Sequence, residues 1–460
     1  MTQSLSQISL EDWDARYADL VKTRRVRPPF DGPLGRHWRD GDTRLTKFLY
    51  DPSPAALDLW NFLLTEEDRL REDKANGKTL IGAMKDLGTV PVMAYALPQT
   101  TTFYPDGAWW TPCLMEFGSG VLGVADQLGV DESFCPVRAM LGSFAANLHF
   151  PVPDLLVCSV GATCDDFSAI AQRVEGLGHP ILWWEIPPRR EPDPGEPAVT
   201  LPGGWRCPDS QVRFVRSELE RIRDALQTLT GGSLADEPLR DGIREANRIR
   251  ALLREIRRQV FTSKICPLPS LELLVAEMLA LHFCSDRAAA HRVLTGLRDE
   301  IRSRVSAGAG FLGPDAVKVY WINPVAELRI MNVLEECGGR LCGTDFMFAH
   351  ALDSIPDNLP PMEALAHMAL ADPMIGSAAD RACRICREMA DFGAEALVVS
   401  RIPGASHCAL EGQIVADMVA STLELPAVEI EAPPVGDAFL PSIKTRLRAL
   451  TETAKARRSR

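Results

Sequence analysis

Apolar residues along this chain recur with two periods, and the alternation between them lays out an architecture. From Ser210 to about Gln259 they fall three and four positions apart (Val212, Val215, Leu219, Ile222, Leu226, Leu229), the stripe of an amphipathic helix. Asp209 or Ser210 caps the start, Gly231–Gly232 stops the first helix, and two more helices are expected up to about Ser306. Short apolar runs of the kind buried parallel strands make occur at Asp154–Ser159, Ile181–Ile186, Val317–Ile322, Arg340–Thr344, Ala396–Ser400 and Ala427–Ile430. Helical patterns separate them at Phe167–Leu177, Ala326–Cys337, Ala378–Phe392 and Leu410–Leu423. A further strand is read at Val90–Leu97, an apolar helix at Leu114–Leu128, and a Pro- and Gly-rich loop over 187–204. Residues 1–60, rich in Arg, Asp and Pro, hold two short amphipathic pieces around Leu10–Lys22 and Ala55–Leu64.

Strands alternating with helices make parallel sheets covered on both faces. The expected fold is α/β, with two doubly wound parallel-sheet domains at 86–205 and 313–460. A helical region, 206–312, connects them, and a helical N-terminal extension covers 1–85.

Composition narrows the functions open to such a chain. At 460 residues it buries about three quarters of its unfolded surface and needs no disulfides. A net charge of −12, with no basic stripe beyond Lys455–Arg460, argues against a nucleic-acid partner. The longest apolar run, around Leu271–Phe283, is broken by Glu272 and Glu277, so no membrane span is expected. Glu11, Asp12 and Asp14 stand where a secretory signal would be basic and then apolar. The chain reads as cytosolic, and its twelve cysteines as free thiols or metal ligands.

An internal repeat singles out two of those cysteines. Asp154–Pro187 runs strand, short loop, Cys164, helix, Gly-His-Pro, strand, Pro. Glu395–Pro433 runs strand, short loop, Cys408, helix, Glu-Leu-Pro, strand, Pro. Leu155, Leu156 and Val157 match Leu397, Val398 and Val399, with Ser159 and Ser400 just beyond. Open α/β sheets bind ligands outside the carboxyl ends of their strands, where both cysteines fall. A third, Cys135, precedes Pro136, and proline favours the first helical position. A thiol at a helix N-terminus feels the positive dipole end, so a pKa falling from ~8.5 toward ~3.5–7.5 is expected. The residues alone leave two readings: three thiols that hold a metal group, or three buried structural ones.

Other motifs carry less. Gly308, Gly310 and Gly313 spell G-x-G-x-x-G, but after a helix and before Pro314 and a strand, the reverse of a dinucleotide site. Cys383 and Cys386 are read as the core face of a helix, and Cys337 and Cys342 as flanking a Gly-Gly turn. Cys113, Cys158, Cys207, Cys266 and Cys284 have no partner at ligand spacing. His407 is the histidine best placed to see the site, and Trp109–Trp110 and Trp183–Trp184 are read as core and pocket wall. With no G-x-x-x-x-G-K-[ST], the chain is expected to hydrolyse no ATP by itself.

Across roughly residues 85–455 the chain resembles the benzoyl-CoA reductase / 2-hydroxyacyl-CoA dehydratase family. Four segments carry the likeness: Cys135-Pro-Val-Arg-Ala-Met-Leu-Gly142; Pro153-Asp-Leu-Leu-Val with Thr163-Cys-Asp165; Glu335-Glu-Cys-Gly-Gly-Arg-Leu-Cys-Gly-Thr-Asp345; and Ser406-His-Cys408 with Leu425-Pro426. The resemblance implies a [4Fe–4S] cluster held by Cys135, Cys164 and Cys408 with one iron open, or a double cubane on the same cysteines. It further implies a related sister subunit, an iron–sulfur ATPase activator and a CoA-thioester substrate. The reaction would be reduction of an aryl-CoA or loss of a 2-hydroxyl, with a non-catalytic electron-relay subunit as a further reading. Arg401–Ala405 and Ala409–Leu410 depart from the dehydratase pattern and tilt the expectation toward aryl-CoA reduction. Asn323 stands where many members have glycine. The cluster is expected in the cleft between the two α/β domains.

Overall fold

The computed structural model describes residues 3–23, 44–107, 119–161, 163–434 and 436–459. Ten strands are described: β1 (Thr79–Met84), β2 (Thr100–Phe103), β3 (Leu155–Gly161), β4 (Ile181–Ile186), β5 (Ala198–Thr200), β6 (Arg206–Pro208), β7 (Val317–Ile322), β8 (Gly339–Asp345), β9 (Ala396–Arg401) and β10 (Ala427–Glu431). One four-stranded sheet has the order β2-β1-β3-β4 and the other β10-β9-β7-β8, with every neighbouring pair parallel. Read from its other edge, the second becomes β8-β7-β9-β10, the same topology as the first. Each sheet reverses its winding between its first and third strands. The α/β reading with two parallel sheets therefore holds, and the internal repeat extends to whole sheets.

Three features differ from the sequence reading. Val90–Tyr95 is a helix, not a strand. Pro91 occupies its first turn, and the Asp86 carboxylate accepts from the Thr89 and Val90 backbone N–H groups. All six of its residues are buried, so no apolar period distinguishes it from a strand. The strands that complete the first sheet, β1 and β2, carried weak signals: a six-residue run broken by Gly82, and a polar Thr-Thr-Thr-Phe. Gly82 is required where it stands, since a Cβ there would lie 2.9 Å from Leu156. Of the expected helix Leu114–Leu128, the part Ser119–Gln127 is helical and residues 114–118 lie outside the described residues. The G-x-G-x-x-G is a helix-to-strand loop, with Gly308 left-handed at the end of helix Arg287–Ala307. On helix Ala378–Phe392, Cys386 is buried but Cys383 is exposed, so only one thiol of the pair joins the core. No described helix is long and apolar enough to cross a membrane.

The N-terminal segment is fastened to the connecting helices by buried polar groups. Arg304 grips Asp51 with two bonds, at 2.6 and 3.0 Å. Glu272 accepts from the Asp51 backbone N–H at 3.0 Å and from Trp60 Nε1 at 3.2 Å. Burial, aided by the Asp51 charge, pushes the Glu272 carboxyl up to about 8. The folded chain then keeps a proton that the unfolded chain releases near 4.5. Stability from this group is present at low pH and falls as pH rises from about 4.5 through 8, by at most ~1.4 kcal/mol per unit. Glu272→Gln keeps the acceptor and should flatten that slope. Denaturant unfolding at several pH values between about 5 and 8 checks this, and an unchanged slope would contradict it.

Candidate cysteine site at the paired switch points

The duplicated topology places two equivalent crevices at the carboxyl ends of the sheets, where ligands bind in this architecture. At the first, Lys85 follows β1 in a left-handed conformation, φ +57°. Ser159 Oγ donates to its carbonyl at 3.1 Å, and Lys85 Nζ donates to Gly161 O at 3.4 Å and Ser168 Oγ at 2.9 Å. At the second, Asn323 follows β7 with φ +67°. Ser400 Oγ donates to Pro324 O at 2.6 Å, and Asn323 Nδ2 donates to Ser400 O at 3.2 Å. Ser168 and Gly412 each stand four residues beyond their cysteine, and a Cβ on Gly412 would lie 3.7 Å from Asn323 Nδ2. Lys85 and Asn323 thus occupy matching positions. The sequence could expose this match only once β1 was recognised as the partner of β7.

Cys164 caps the helix Asp165–Gly176. Burial pushes its thiol up to about 11, although the Phe167 and Asp166 backbone N–H groups and Lys85 all favour the thiolate. For Cys164 the expected fall in pKa is overturned, because desolvation outweighs the helix terminus. Cys135 caps the short turn Pro136–Arg138, is half-buried, and packs on the same apolar cluster as Cys164. Cys408 stands in the first turn of helix Ser406–Leu423. The side chains of Cys408 and His407 lie outside the described residues, as do Trp109, Trp110 and Cys113.

Backbone contacts join the three segments. Gly404, φ +78°, lies so close to Phe134 that a Cβ would meet its backbone atoms at 2.6–3.0 Å. The loop entering the Cys408 helix therefore rests on the residue preceding Cys135. The helices that follow Cys164 and Cys408 also touch each other. Among the described residues no three His, Cys, Asp or Glu side chains form a metal-binding group, and the Cys408 thiol is outside that set.

A buried ion network holds the second crevice. Arg381 donates to Asp345 Oδ2 from two nitrogens, to Asn323 Oδ1 at 2.8 Å and to Glu411 Oε2 at 3.0 Å. His350 Nε2 lies 2.8 Å from Asp345 Oδ1. Burial alone would raise the Asp345 carboxyl, but Arg381 and His350 hold it well below the ordinary range. The network ties the end of β7 to the helix that carries Cys408.

A narrow pocket beside Cys164 is lined by Asp86, Tyr104 and Asp106 on one side and by Met347 and Asp372 on the other. Its free volume, ≈ 20 Å³, has room for about one water. Tyr104 OH, Asp106 Oδ1 and Thr163 Oγ1 are buried there with no hydrogen-bond partner among the described residues. Orphaned polar atoms of this kind call for a polar guest.

The sequence model of the family described as "2-hydroxyglutaryl-CoA dehydratase, D-component" matches residues 110–454. The chain belongs to that family. Membership makes it a subunit of the 2-hydroxyacyl-CoA dehydratase type, a component of a multi-subunit system working on CoA thioesters. Cys135, Cys164 and Cys408 all fall within the matched span, whereas Lys85, Asp86, Tyr104 and Asp106 precede it. No curated protein matches the chain.

The Gly404 contact yields a direct test. Gly404→Ala should destabilise by ~1–3 kcal/mol, because it adds a backbone clash to an unfavourable φ. Gly77→Ala has the same φ of +78° but nothing within 4 Å of its Cβ, so it should cost less. Equal denaturation midpoints for the two variants would contradict the close approach.

Proposed function

We propose that this chain is the catalytic subunit of an ATP-activated radical enzyme acting on a CoA thioester, with a [4Fe–4S] cluster on Cys135, Cys164 and Cys408. The observation that carries the reading is the convergence of three loops, each bearing one cysteine at a helix start. The donor set suits the group, since thiolates are the usual ligands of such clusters. Two of the thiols share one apolar cluster, and the entry to the third helix rests on the residue before Cys135. Three protein ligands leave one iron corner for an outside ligand. When bound, the cluster supplies a low-potential electron.

The chain's own residues do the rest. Met84, Phe167, Leu281 and Met347 wall the pocket beside Cys164 with apolar surface. Burial holds the Tyr104 hydroxyl well above its ordinary pKa, so it keeps its proton and serves as a hydrogen-bond donor in the pocket. The guest such a donor suits is a small polar one, since the pocket measures ≈ 20 Å³. Lys85 fixes the first crevice and Arg381 the second.

Two reactions fit this frame. The family description favours loss of water from a 2-hydroxyacyl-CoA. The residues flanking Cys408, Arg401–Ala405 and Ala409–Leu410, favour net two-electron reduction of an aryl-CoA. Both need a sister subunit and an iron–sulfur ATPase, and supplying those components to the anaerobic protein with each thioester decides between them.

Serine at Cys135, Cys164 or Cys408 should lower bound iron and sulfide sharply in anaerobically purified protein. Serine at exposed Cys383 or at Cys386 should leave both nearly unchanged. Equal iron loss from the 383/386 pair would overturn the ligand assignment. Iron and sulfide counts, with electron paramagnetic resonance of the reduced protein, also separate a single from a double cubane.

A further inference from the structure

We infer that Lys85 is the charge-compensating residue of the proposed metal site: its ammonium offsets the negative charge of the group on Cys164 and raises the potential at which that group accepts an electron. This rests on the proposed function, because only a group bound through thiolates brings such charge into the crevice. A [4Fe–4S] core on three thiolates is anionic, and one entering electron makes it more so. Its potential follows net charge and the hydrogen bonds to its sulfurs. No bond forms or breaks at Lys85 when the electron enters.

Lys85 follows β1 with φ +57°, a backbone conformation that non-glycine residues seldom hold outside functional sites. It is 7 % exposed and lines the pocket beside Cys164. An ammonium carries three protons to donate. Two go to Gly161 O at 3.4 Å and to Ser168 Oγ at 2.9 Å. Both acceptors are neutral, and both reach solvent more than Lys85 does, Gly161 being exposed and Ser168 half-buried. Neither one needs a buried cation as its partner. Burial works against the ammonium, and the groups whose charge favours it are Cys158, Cys164 and Asp165. Among the described residues no carboxylate forms an ion pair with it.

The carboxylates lining the same pocket have cations of their own. Asp86 faces Arg250, Asp106 faces His282, and Asp372 faces Arg189 and, at 3.4 Å, His350. Helix Asp165–Gly176 starts at Cys164 and turns the positive end of its dipole toward this crevice. A lysine buried beside a helix N-terminus, away from any carboxylate, is badly placed for stability and well placed for an anion. The second crevice shows that the clamp itself needs no charge. There Asn323 holds the matching position with φ +67°, and its neutral amide donates to Ser400 O at 3.2 Å. The cation of that crevice, Arg381, is already matched by Asp345 and Glu411. The charge at Lys85 is therefore surplus to holding the loop, and the thiol it faces belongs to Cys164.

The test compares Lys85→Asn, Lys85→Met and Lys85→Arg with wild type in the anaerobically purified chain. The first copies the neutral clamp of the second crevice, the second removes clamp and charge, and the third keeps the charge. All three should retain bound iron and sulfide. In a redox titration followed by electron paramagnetic resonance, Lys85→Asn and Lys85→Met should lower the reduced-to-oxidised ratio at a fixed solution potential at least about tenfold, ~59 mV for one electron. Lys85→Arg should stay close to wild type, which a purely structural role would not predict. In the metal-free chain, Lys85→Met should leave the denaturation midpoint at or above that of wild type, since a buried ammonium with neutral partners is costly. Unchanged potentials in the two neutral variants would overturn the inference. So would a midpoint lowered by Lys85→Met, or iron lost equally from all three variants, since either marks a structural clamp. Absence of iron from the wild type would instead sink the proposed function, whereas unchanged potentials in iron-loaded variants sink the role of Lys85 alone.

Discussion

The site depends on one steric constraint: the loop before Cys408 must lie on the backbone of Phe134. Only glycine permits that approach at position 404, since any Cβ would overlap main-chain atoms that cannot swing aside. Because the contact is backbone to backbone, it fixes the second sheet's crevice against the first sheet's at atomic distance. The Asp345–Arg381 pair then transmits the position inward, holding Asn323 and Glu411 and so the helix that Gly404 introduces.

Much of this was legible in the sequence, and the exceptions share a cause. Runs such as Val317–Ile322 and Ala396–Arg401 are mostly apolar and flanked by helical periods, so they announced themselves as buried parallel strands. The second sheet was read complete for that reason. The first was read only in half, because β2 is three threonines and a phenylalanine and β1 holds Gly82. Val90–Tyr95 misled because a helix buried on all sides has no polar face to reveal its period. The repeat found Cys164 and Cys408, but Lys85 and Asn323 differ chemically and share only a backbone conformation, which no residue pattern reports.

The pKa reading failed in a way that bears on the chemistry. A helix N-terminus lowers a thiol's pKa when the thiol is wet, yet Cys164 is buried enough that the same N–H donors leave it near 11. Protonated, buried thiols are inert toward stray electrophiles and give up their protons only to a cation that replaces the lost solvation. The Cys164 crevice is therefore suited to holding a metal group and poorly suited to nucleophilic catalysis by its cysteine.

Charge handling divides along the same line as the family match. The matched span, 110–454, carries the cysteines and the Arg381 network, in which Asp345 and Glu411 both accept from the guanidinium. The preceding segment carries Tyr104 OH and Asp106 Oδ1, which are buried and have no hydrogen-bond partner among the described residues. Paired buried groups hold geometry, whereas a buried polar atom left without a partner calls for a polar guest. His282, inside the matched span, meets Glu66 from the segment that precedes it, and Arg304 and Glu272 hold Asp51 of that same segment.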